Sequence, residues 1–168
     1  PSQYPNWREI NSETWRALET LYDQGKVRAI GVSNFGVSHL EALLEDCRIS
    51  PMVNQIEVHP GQNQTEIVEF CRDYDILVEA WSPLGTGRML ANPVLNEIGE
   101  AHDKSAAQVC IRWLLQRGIL PLPKSVTPHR IAENIDVFDF ELTDEDMNRI
   151  NEIPYFGGSG LDPDKVDF

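Results

Sequence analysis

Residues 122–134 read Leu122-Pro-Lys-Ser-Val-Thr-Pro-His-Arg-Ile-Ala-Glu-Asn134 and join a short strand to a helix. An apolar run ends at Lys124, and Pro128 has the position of a first helical residue. A helix that begins just after a strand directs free N–H groups and its positive dipole end toward the strand terminus. Because Lys124 and Arg130 add two charges to the same corner, the segment predicts an anion site, and phosphate is the usual ligand.

The charge around this corner differs from that of the chain as a whole. The 168 residues carry 27 acidic and 14 basic side chains, a formal charge of −13. No acidic residue occurs from Lys104 to Ala132, where five cations fall: Lys104, Arg112, Arg117, Lys124 and Arg130. The overall charge argues against general binding to nucleic acid or to an anionic membrane, so an anionic ligand needs a local basic site of this kind.

Length and composition predict one α/β domain, since the hydrophobic content of 41% is sufficient for a single core. Short apolar runs centred near residues 30, 55, 79 and 121 alternate with helical patterns, which predicts a parallel sheet covered by helices. The predicted strands span residues 27–32, 52–58, 76–81 and 119–122, and the predicted helices span 12–22, 38–46, 65–73, 92–102, 105–117, 128–135 and 143–151. We expect Ser12 and Thr65 to cap their helices, Gly25 to end the first helix, and Thr143 with Asp146 to form a capping box.

Several function classes are not supported by the residues. No apolar run approaches the roughly 20 residues that a membrane-spanning helix needs, and the polar start of the chain does not resemble a signal peptide. The cysteines are scattered, which is typical of free thiols in a reducing compartment, so we expect a cytoplasmic protein; they are Cys47, Cys71 and Cys110. The four histidines lack ligand spacing, and we predict no metal site. The first residue is not methionine, which leaves a longer chain as an alternative.

Polar or small residues follow each predicted strand, and in parallel α/β folds ligands bind at those strand ends. The residues concerned are Gly31, Ser33, Asn34, Gln55, His59, the run Trp81-Ser-Pro-Leu-Gly85, Lys124 and Ser125. Taken together, they predict one shared site. Two of them have open alternatives: Gln55 could bind a ligand carboxamide or make a core hydrogen bond, and Trp81 could stack on a planar ring or simply pack. The loop Ser82–Gly87 is small enough for a pyrophosphate to approach its backbone, although glycine content alone is weak support.

In sequence order, five segments resemble the C-terminal half of the aldo-keto reductases. They are Gly25–Phe35, Val53–Pro60, Ala80–Gly85, Leu122–Asn134 and Val137–Thr143, and they look like barrel strands five to eight, the helix after strand eight and the segment beyond it. The resemblance implies a (β/α)8 TIM-barrel fold of which this chain holds about four βα units. Residues 1–154 would form the half-barrel, and residues 155–168 would form a C-terminal loop on the substrate side.

The resemblance also implies a function, an NADPH-dependent oxidoreductase that reduces aldehydes and ketones to alcohols. The nicotinamide carboxamide would be held by Ser33, Asn34 and Gln55, and Trp81 would stack on the ring, where many family members carry tyrosine. Ser82 and Leu84 would line the pyrophosphate. The remaining cofactor residues would be Lys124, Ser125, Val126 and Arg130 at the 2′-phosphate, with Glu133 and Asn134 at the adenine. Two cations that converge on one anion favour NADPH over NADH.

The chain departs from the family in lacking the first four strands. The catalytic Asp, Tyr, Lys and His of the family lie on those strands and their loops, so no catalytic residue is assigned here and we expect the chain alone to be inactive. A complete barrel needs roughly 250 residues, and four strands leave two open edges. We therefore expect a small carbonyl substrate and pairing with an N-terminal half or with a second copy. The alternatives are a non-catalytic half-barrel that binds nucleotide or assembles with another chain and, more weakly, a nucleotide-dependent sensor or channel subunit.

Overall fold

The computed structural model describes residues 5–155 and 158–159. Within them the chain alternates helices and strands as the apolar pattern predicts. The elements are α1 (Trp7–Asp23), β1 (Gly31–Ser33), α2 (Val37–Asp46), β2 (Val53–Glu57), α3 (Thr65–Asp73), β3 (Leu77–Trp81), a 3₁₀ segment (Gly85–Ala91), α4 (Pro93–Ala101), α5 (Ala106–Gln116), β4 (Leu120–Leu122), α6 (Pro128–Ile135) and α7 (Asp144–Asn151). No helix in this described part is both long and apolar enough to span a bilayer.

The strands form a four-stranded sheet in the order β1-β2-β3-β4. β1 and β2 run parallel, with Ser33 opposite Gln55, and β3 and β4 run parallel, with Trp81 opposite Leu122. Parallel neighbours require a crossover, and each crossover contains at least one helix. The predicted α/β class with four strand–helix units is therefore confirmed.

The first compact unit comprises, among the described residues, 5–56 and 65–78. Its core contains Trp15 of α1, Ile30 and Leu43 of α2, and the Trp15 indole N–H donates to the Ile49 carbonyl at 2.8 Å. Buried Glu19 accepts the N–H groups of Arg48 and Ile49 at 2.7 and 2.8 Å, which satisfies the backbone where the chain leaves α2.

The second compact unit comprises residues 57–64, 79–155 and 158–159 of the described part. Its core is formed largely by α4 and α5, and Trp113, Leu95 and Ile98 are almost completely buried there. The Trp113 indole N–H donates to Asn151 at 3.0 Å and so ties α5 to the end of α7. This unit holds the β4–α6 corner that the charge pattern singled out.

Two predicted boundaries are wrong for identifiable reasons. Ser12 does not cap a helix, because α1 begins at Trp7 and the buried Ser12 hydroxyl donates to the Asp46 carboxylate at 2.9 Å. α1 starts with Trp7 and Ile10, but the polar residues 11–14 separate them from Trp15, so the apolar spacing at the start of the helix is too sparse to detect. The first strand does not begin at Val27, which is 37% exposed, because pairing with β2 starts only at Gly31.

Other local predictions are confirmed. Gly25 follows α1 with φ of +66°, a conformation that glycine adopts readily, and Thr143 and Asp146 make the predicted reciprocal capping box of α7. Thr65, in contrast, is the first residue of α3 rather than its cap. Most of the predicted loop at 155–168 lies outside the described residues, and the division at residue 154 stays a prediction.

The three cysteines are free, as expected, and no disulfide is formed. Cys71 and Cys110 are buried, whereas Cys47 is only half-buried. Burial raises the pKa of the Cys110 thiol far above its ordinary value, so this residue behaves as a small apolar side chain.

Candidate functional site

A cavity of about 500 Å³ lies at the carboxyl ends of β3 and β4, within the second compact unit. Three stretches line it: the residues that follow β3, the start of α5, and the β4–α6 connection with the first turns of α6. The volume is in the range of small-molecule and cofactor sites. Strand ends and helix beginnings meet here because in a βα unit the carboxyl end of the strand leads directly into the following helix.

The segment after β3 enters the cavity through an unusual backbone path. Ser82, Gly85, Thr86 and Gly87 have φ of 49°, 53°, 56° and 90°, and Gly85 and Gly87 donate to the Ser82 and Leu84 carbonyls at 2.8 and 2.9 Å. For the glycines this left-handed conformation is easy, but for Ser82 and Thr86 it costs roughly 1–2 kcal/mol each. Strain retained in residues that line a cavity is typical of a functional loop.

The β4–α6 corner supplies cations together with a helix N-terminus. Lys124 and Arg130 line the same cavity, so the two charges predicted to act together do lie at one site. Ser125 accepts the Thr127 N–H at 3.2 Å, and Pro128 then begins α6. The N–H groups of the first turn have no partner within a helix and are available to an anion.

A second helix N-terminus borders the cavity, and sequence reasoning did not assign it to the site. Ser105 and Ala107, at the start of α5, are lining residues. Ser105 caps α5: its hydroxyl accepts the Gln108 N–H at 3.4 Å, while its own N–H donates to the Gln108 side chain at 2.9 Å. The predicted start of this helix at residue 105 could have indicated the role, since a helix N-terminus attracts anions.

Not all of the five cations between Lys104 and Ala132 are left to bind a ligand. Lys104 pairs with Asp136 and Asp139 at 3.0 and 2.8 Å, and these contacts, chiefly that with Asp139, raise the pKa of the ammonium group. Arg112 pairs with Glu141 at 3.1 Å, and Arg117 donates to the Asn63 carbonyl at 2.9 Å. Three of the five cations thus stabilise the fold.

Lys124 and Arg130 behave differently from those three. Within the part of the chain that the structure describes, neither has an ion-pair partner, and both side chains are exposed. Glu133 also lines the cavity, three residues beyond Arg130. The cavity therefore offers two cations and two helix N-termini against one carboxylate, a balance that favours an anionic ligand.

Most cofactor residues predicted for the second unit line this one cavity. They are Ser82, Leu84, Lys124, Ser125, Arg130, Glu133 and Asn134. Val126 is not among the lining residues and is 80% exposed, and Trp81 is half-buried at the last position of β3. Thr86 and Gly87 also line the cavity and belong to the small-residue loop that the sequence offered for a pyrophosphate, whereas Leu90 and Pro123 are lining residues that the sequence reasoning did not assign.

The remaining predicted residues lie together in the first unit, at the carboxyl ends of β1 and β2. The Ser33 hydroxyl and the Asn34 N–H both donate to the Gln55 carbonyl, at 3.2 and 3.0 Å. Gln55 is only half-buried, whereas its neighbour Asn54 is fully buried and bonds to the Phe35 backbone and the Cys71 sulfur. The core amide of this strand is therefore Asn54, since side chains alternate between the faces of a strand.

A model of the Aldo/keto reductase family matches residues 3–154 of this chain. The chain is 54% identical over 156 residues to the glyoxal reductase of Bacillus subtilis (strain 168), covering 93% of this chain and 56% of that protein. Among solved structures, MGS-M4, an aldo-keto reductase from a Medee basin deep-sea metagenome library, matches with a TM-score of 0.93 and 43% identity over 96% of this chain and 60% of its own. A mutant of Gox0644 in complex with NADPH matches with a TM-score of 0.89 and 45% identity, covering 94% of this chain and 58% of its own.

The chain thus spans little more than half the length of these proteins. Their likeness confirms the expected fold class, because the parallel four-stranded α/β sheet is consistent with part of a (β/α)8 barrel.

Proposed function

The chain belongs to the aldo/keto reductase family, and we propose that it forms the dinucleotide-binding half of an NADPH-dependent enzyme that reduces aldehydes and ketones to alcohols. The observation that carries the proposal is the cavity at the ends of β3 and β4, where Lys124 and Arg130 lie with the N-termini of α5 and α6. A ligand with several phosphates suits this set of groups, since each group stabilises negative charge.

Within this cavity we assign roles by chemistry. Lys124 and Arg130 hold the 2′-phosphate, and Ser125 adds a hydroxyl to the same corner. The residues Ser82 and Leu84 contact the pyrophosphate through the left-handed turn that follows β3. Glu133 and Asn134, on the next turn of α6, face the adenine end, where a carboxylate and an amide can bond to ring amino and nitrogen groups.

At the nicotinamide end we assign Ser33, Asn34 and Gln55 to the carboxamide and Trp81 to the ring face. Asn34 directly follows β1 with a positive φ of 56°, while its N–H still donates to the backbone carbonyl of Gln55 at 3.0 Å. When bound, NADPH supplies a hydride to the carbonyl carbon of the substrate. The residues of this chain bind and orient the dinucleotide, and the proton donor belongs to the part of the barrel outside these 168 residues.

The selectivity of the cavity for the 2′-phosphate tests the proposal. We expect Lys124→Met and Arg130→Leu each to weaken NADPH binding by about tenfold or more, since a hydrogen bond to a charged group contributes about 1.5–3 kcal/mol. NADH binding should change much less, because NADH lacks the phosphate. Fluorescence titration with both dinucleotides measures the ratio, and Arg149→Leu, which removes a half-buried arginine paired with Glu97, is the matched control.

Unchanged affinity for NADPH in both cavity variants contradicts the assignment. Loss of both affinities to the same extent would instead indicate damage to the fold, which circular dichroism detects independently.

A second candidate, a half-barrel that functions by assembling with another chain, is favoured by a separate observation. Apolar side chains are exposed beside β4, the last strand in the sheet order: Leu120, Ile131, Ile135 and Phe138 are 42%, 53%, 71% and 72% exposed. The helix α6 has no buried residue. An exposed apolar patch next to a sheet edge is typical of an interaction surface. Light scattering separates the candidates, because a stable dimer of the isolated chain favours self-assembly.

A further inference from the structure

A buried carboxylate on β2 forms hydrogen bonds with Ser159, near the C-terminus of the chain. Glu57, the last residue of β2, is 5% exposed. The Ser159 N–H lies 2.8 and 3.0 Å from its two oxygens, and the Ser159 hydroxyl donates to Oε2 at 2.9 Å. The two residues are 102 positions apart in sequence. Hydrogen bonds to a buried carboxylate are among the stronger ones in proteins, so this contact fixes the backbone at Ser159.

A second residue holds the same segment from the 3₁₀ segment. The Arg88 guanidinium donates from Nη2 to the Gly158 carbonyl and from Nε to the Gly85 carbonyl, the latter at 3.3 Å. Gly158 is itself required, since an added Cβ would lie 2.7 Å from Glu57 Oε2 and 3.0 Å from Gln62 Oε1. Arg88 and Glu57 thus form hydrogen bonds with two successive residues, Gly158 and Ser159. We name these four residues the C-terminal clamp.

His59 contacts the Glu57 carboxylate of the clamp. Its Nδ1 lies 2.9 Å from the Pro60 carbonyl, which can only accept, so Nδ1 carries the proton of that bond. Nε2 then faces Glu57 Oε1 at 3.5 Å. The imidazole is fully buried. Gly85 packs against it, and a Cβ added at Gly85 would lie 3.5 Å from Cε1 of His59. The His59 ring and the Ser159 N–H therefore both lie close to Oε1 of Glu57, which restricts the orientation of this carboxylate.

The position of Arg88 connects the clamp to the dinucleotide cavity. Arg88 directly follows Thr86 and Gly87 and precedes Leu90, and these three neighbours line the cavity. We propose that the C-terminal clamp couples the two sites, so that anchoring of residues 158–159 stabilises the shape of the 3₁₀ segment that binds the dinucleotide. This inference rests on the proposed function, and it makes Glu57 and Arg88 positioning residues.

The coupling must act in both directions, because linkage between two binding events is reciprocal. If the hydrogen bonds of the clamp raise the affinity for the dinucleotide by some factor, then a bound dinucleotide must raise the equilibrium constant for forming those hydrogen bonds by the same factor. The 3₁₀ segment contains one strained residue that the clamp can stabilise: Thr86, which is not a glycine, has φ of 56°, and such a conformation persists only when the surroundings enforce it.

The experiment uses Arg88→Met and Glu57→Gln, with Arg149→Met as the matched control. Dissociation constants for NADPH and NADH are measured by fluorescence, and exchange of backbone amide hydrogens is followed at residues 158–159 with and without NADPH. We expect both variants to weaken the two dinucleotides equally, by about fivefold or more. We also expect NADPH to slow exchange at these amides in the unmodified chain and to do so much less in the variants.

An equal loss of affinity for NADPH and NADH distinguishes this inference from the phosphate assignment, in which mainly the affinity for NADPH falls. Faster exchange in the variants with unchanged dinucleotide affinity would overturn the coupling while leaving the proposed function intact. If the unmodified chain bound neither dinucleotide, the proposed function would fail and the coupling with it. Should Glu57→Gln not fold, Ser159→Ala removes one hydroxyl only, and the same pair of measurements applies.

Discussion

At the scale of single residues, the basic side chains fall into two groups, those that bond to other protein groups and those that remain available to a ligand. Lys104, Arg112 and Arg117 are engaged with protein groups, whereas Lys124 and Arg130 lie in the cavity without an ion-pair partner in the described residues. The sequence could predict that a basic corner exists. It could not separate these two groups, because their acidic partners Asp136, Asp139 and Glu141 follow the basic window in sequence and meet it only after folding.

Glu19 offers a residue-scale prediction for stability. A single carboxylate oxygen accepts the N–H groups of Arg48 and Ile49 in a buried position. We expect Glu19→Ala to lower the free energy of unfolding by about 2 kcal/mol, because it leaves two backbone donors without their acceptor. Glu19→Gln retains an oxygen at that place and should lose markedly less. Urea denaturation measures both, with exposed Glu13→Ala of the same helix as control.

An equal loss for the alanine and glutamine variants would contradict this account, since it would show that the charge rather than the oxygen is what matters.

At the scale of elements, helix termini decide both stability and the site. Residues of the capping type predict the beginnings of α5 and α7 within one residue, because a cap is a local hydrogen bond between neighbours in sequence. The start of α1 was missed, because the polar residues 11–14 separate Trp7 and Ile10 from the apolar residues that follow. The role of the α5 N-terminus as cavity wall was also missed, since only tertiary packing brings it to the β4–α6 corner.

The α7 capping box predicts a pH dependence. Burial raises the carboxyl pKa of Asp146, but the hydrogen bonds from His102 and Thr143 outweigh burial and hold it below the ordinary value of 3.8. The lowered pKa means that the ionised carboxylate stabilises the fold fully above that value, and that this contribution is lost as the pH falls through the folded-state pKa. We expect Asp146→Asn to be less stable than the unmodified chain at neutral pH and to lose less stability between about pH 5 and 3.

Thermal unfolding across that pH range provides the measurement, and Asp144→Asn, at the exposed first position of the same helix, is the control. Parallel stability curves for the unmodified chain and Asp146→Asn would exclude the capping carboxylate as a source of acid sensitivity.

At the scale of the whole molecule, the described part of the chain holds four parallel strands, and the chain spans 56–60% of the length of its relatives. The apolar residues beside β4 have no partner that would bury them in the described structure: Ile135 and Phe138 are 71% and 72% exposed. Burial of a Leu, Ile or Phe side chain contributes roughly 1.5–3 kcal/mol. A second segment that covers this surface would therefore add substantially to the stability of the assembly.

Activity of the isolated chain is the prediction at this scale. We expect the 168 residues to reduce a simple aldehyde no faster than the uncatalysed reaction, because the residues that we propose to bind the dinucleotide include no proton donor for the substrate oxygen. Absorbance at the NADPH band follows the reaction. A chain that is extended to the length of its relatives is the matched positive control. Turnover by the isolated chain would refute the proposal that these 168 residues bind the dinucleotide without catalysing the reaction.

The sequence by itself determined the alternation of elements, the parallel α/β class, most helix boundaries and the basic corner between β4 and α6, because these depend on periodicity, caps and charges among residues close in sequence. Tertiary structure alone decided which cations remain for a ligand, that the α5 N-terminus joins the cavity, and that Ser159 is held by Glu57. The physical reason is that each of these facts rests on a contact between groups far apart in sequence, and such a contact has no local pattern that could reveal it.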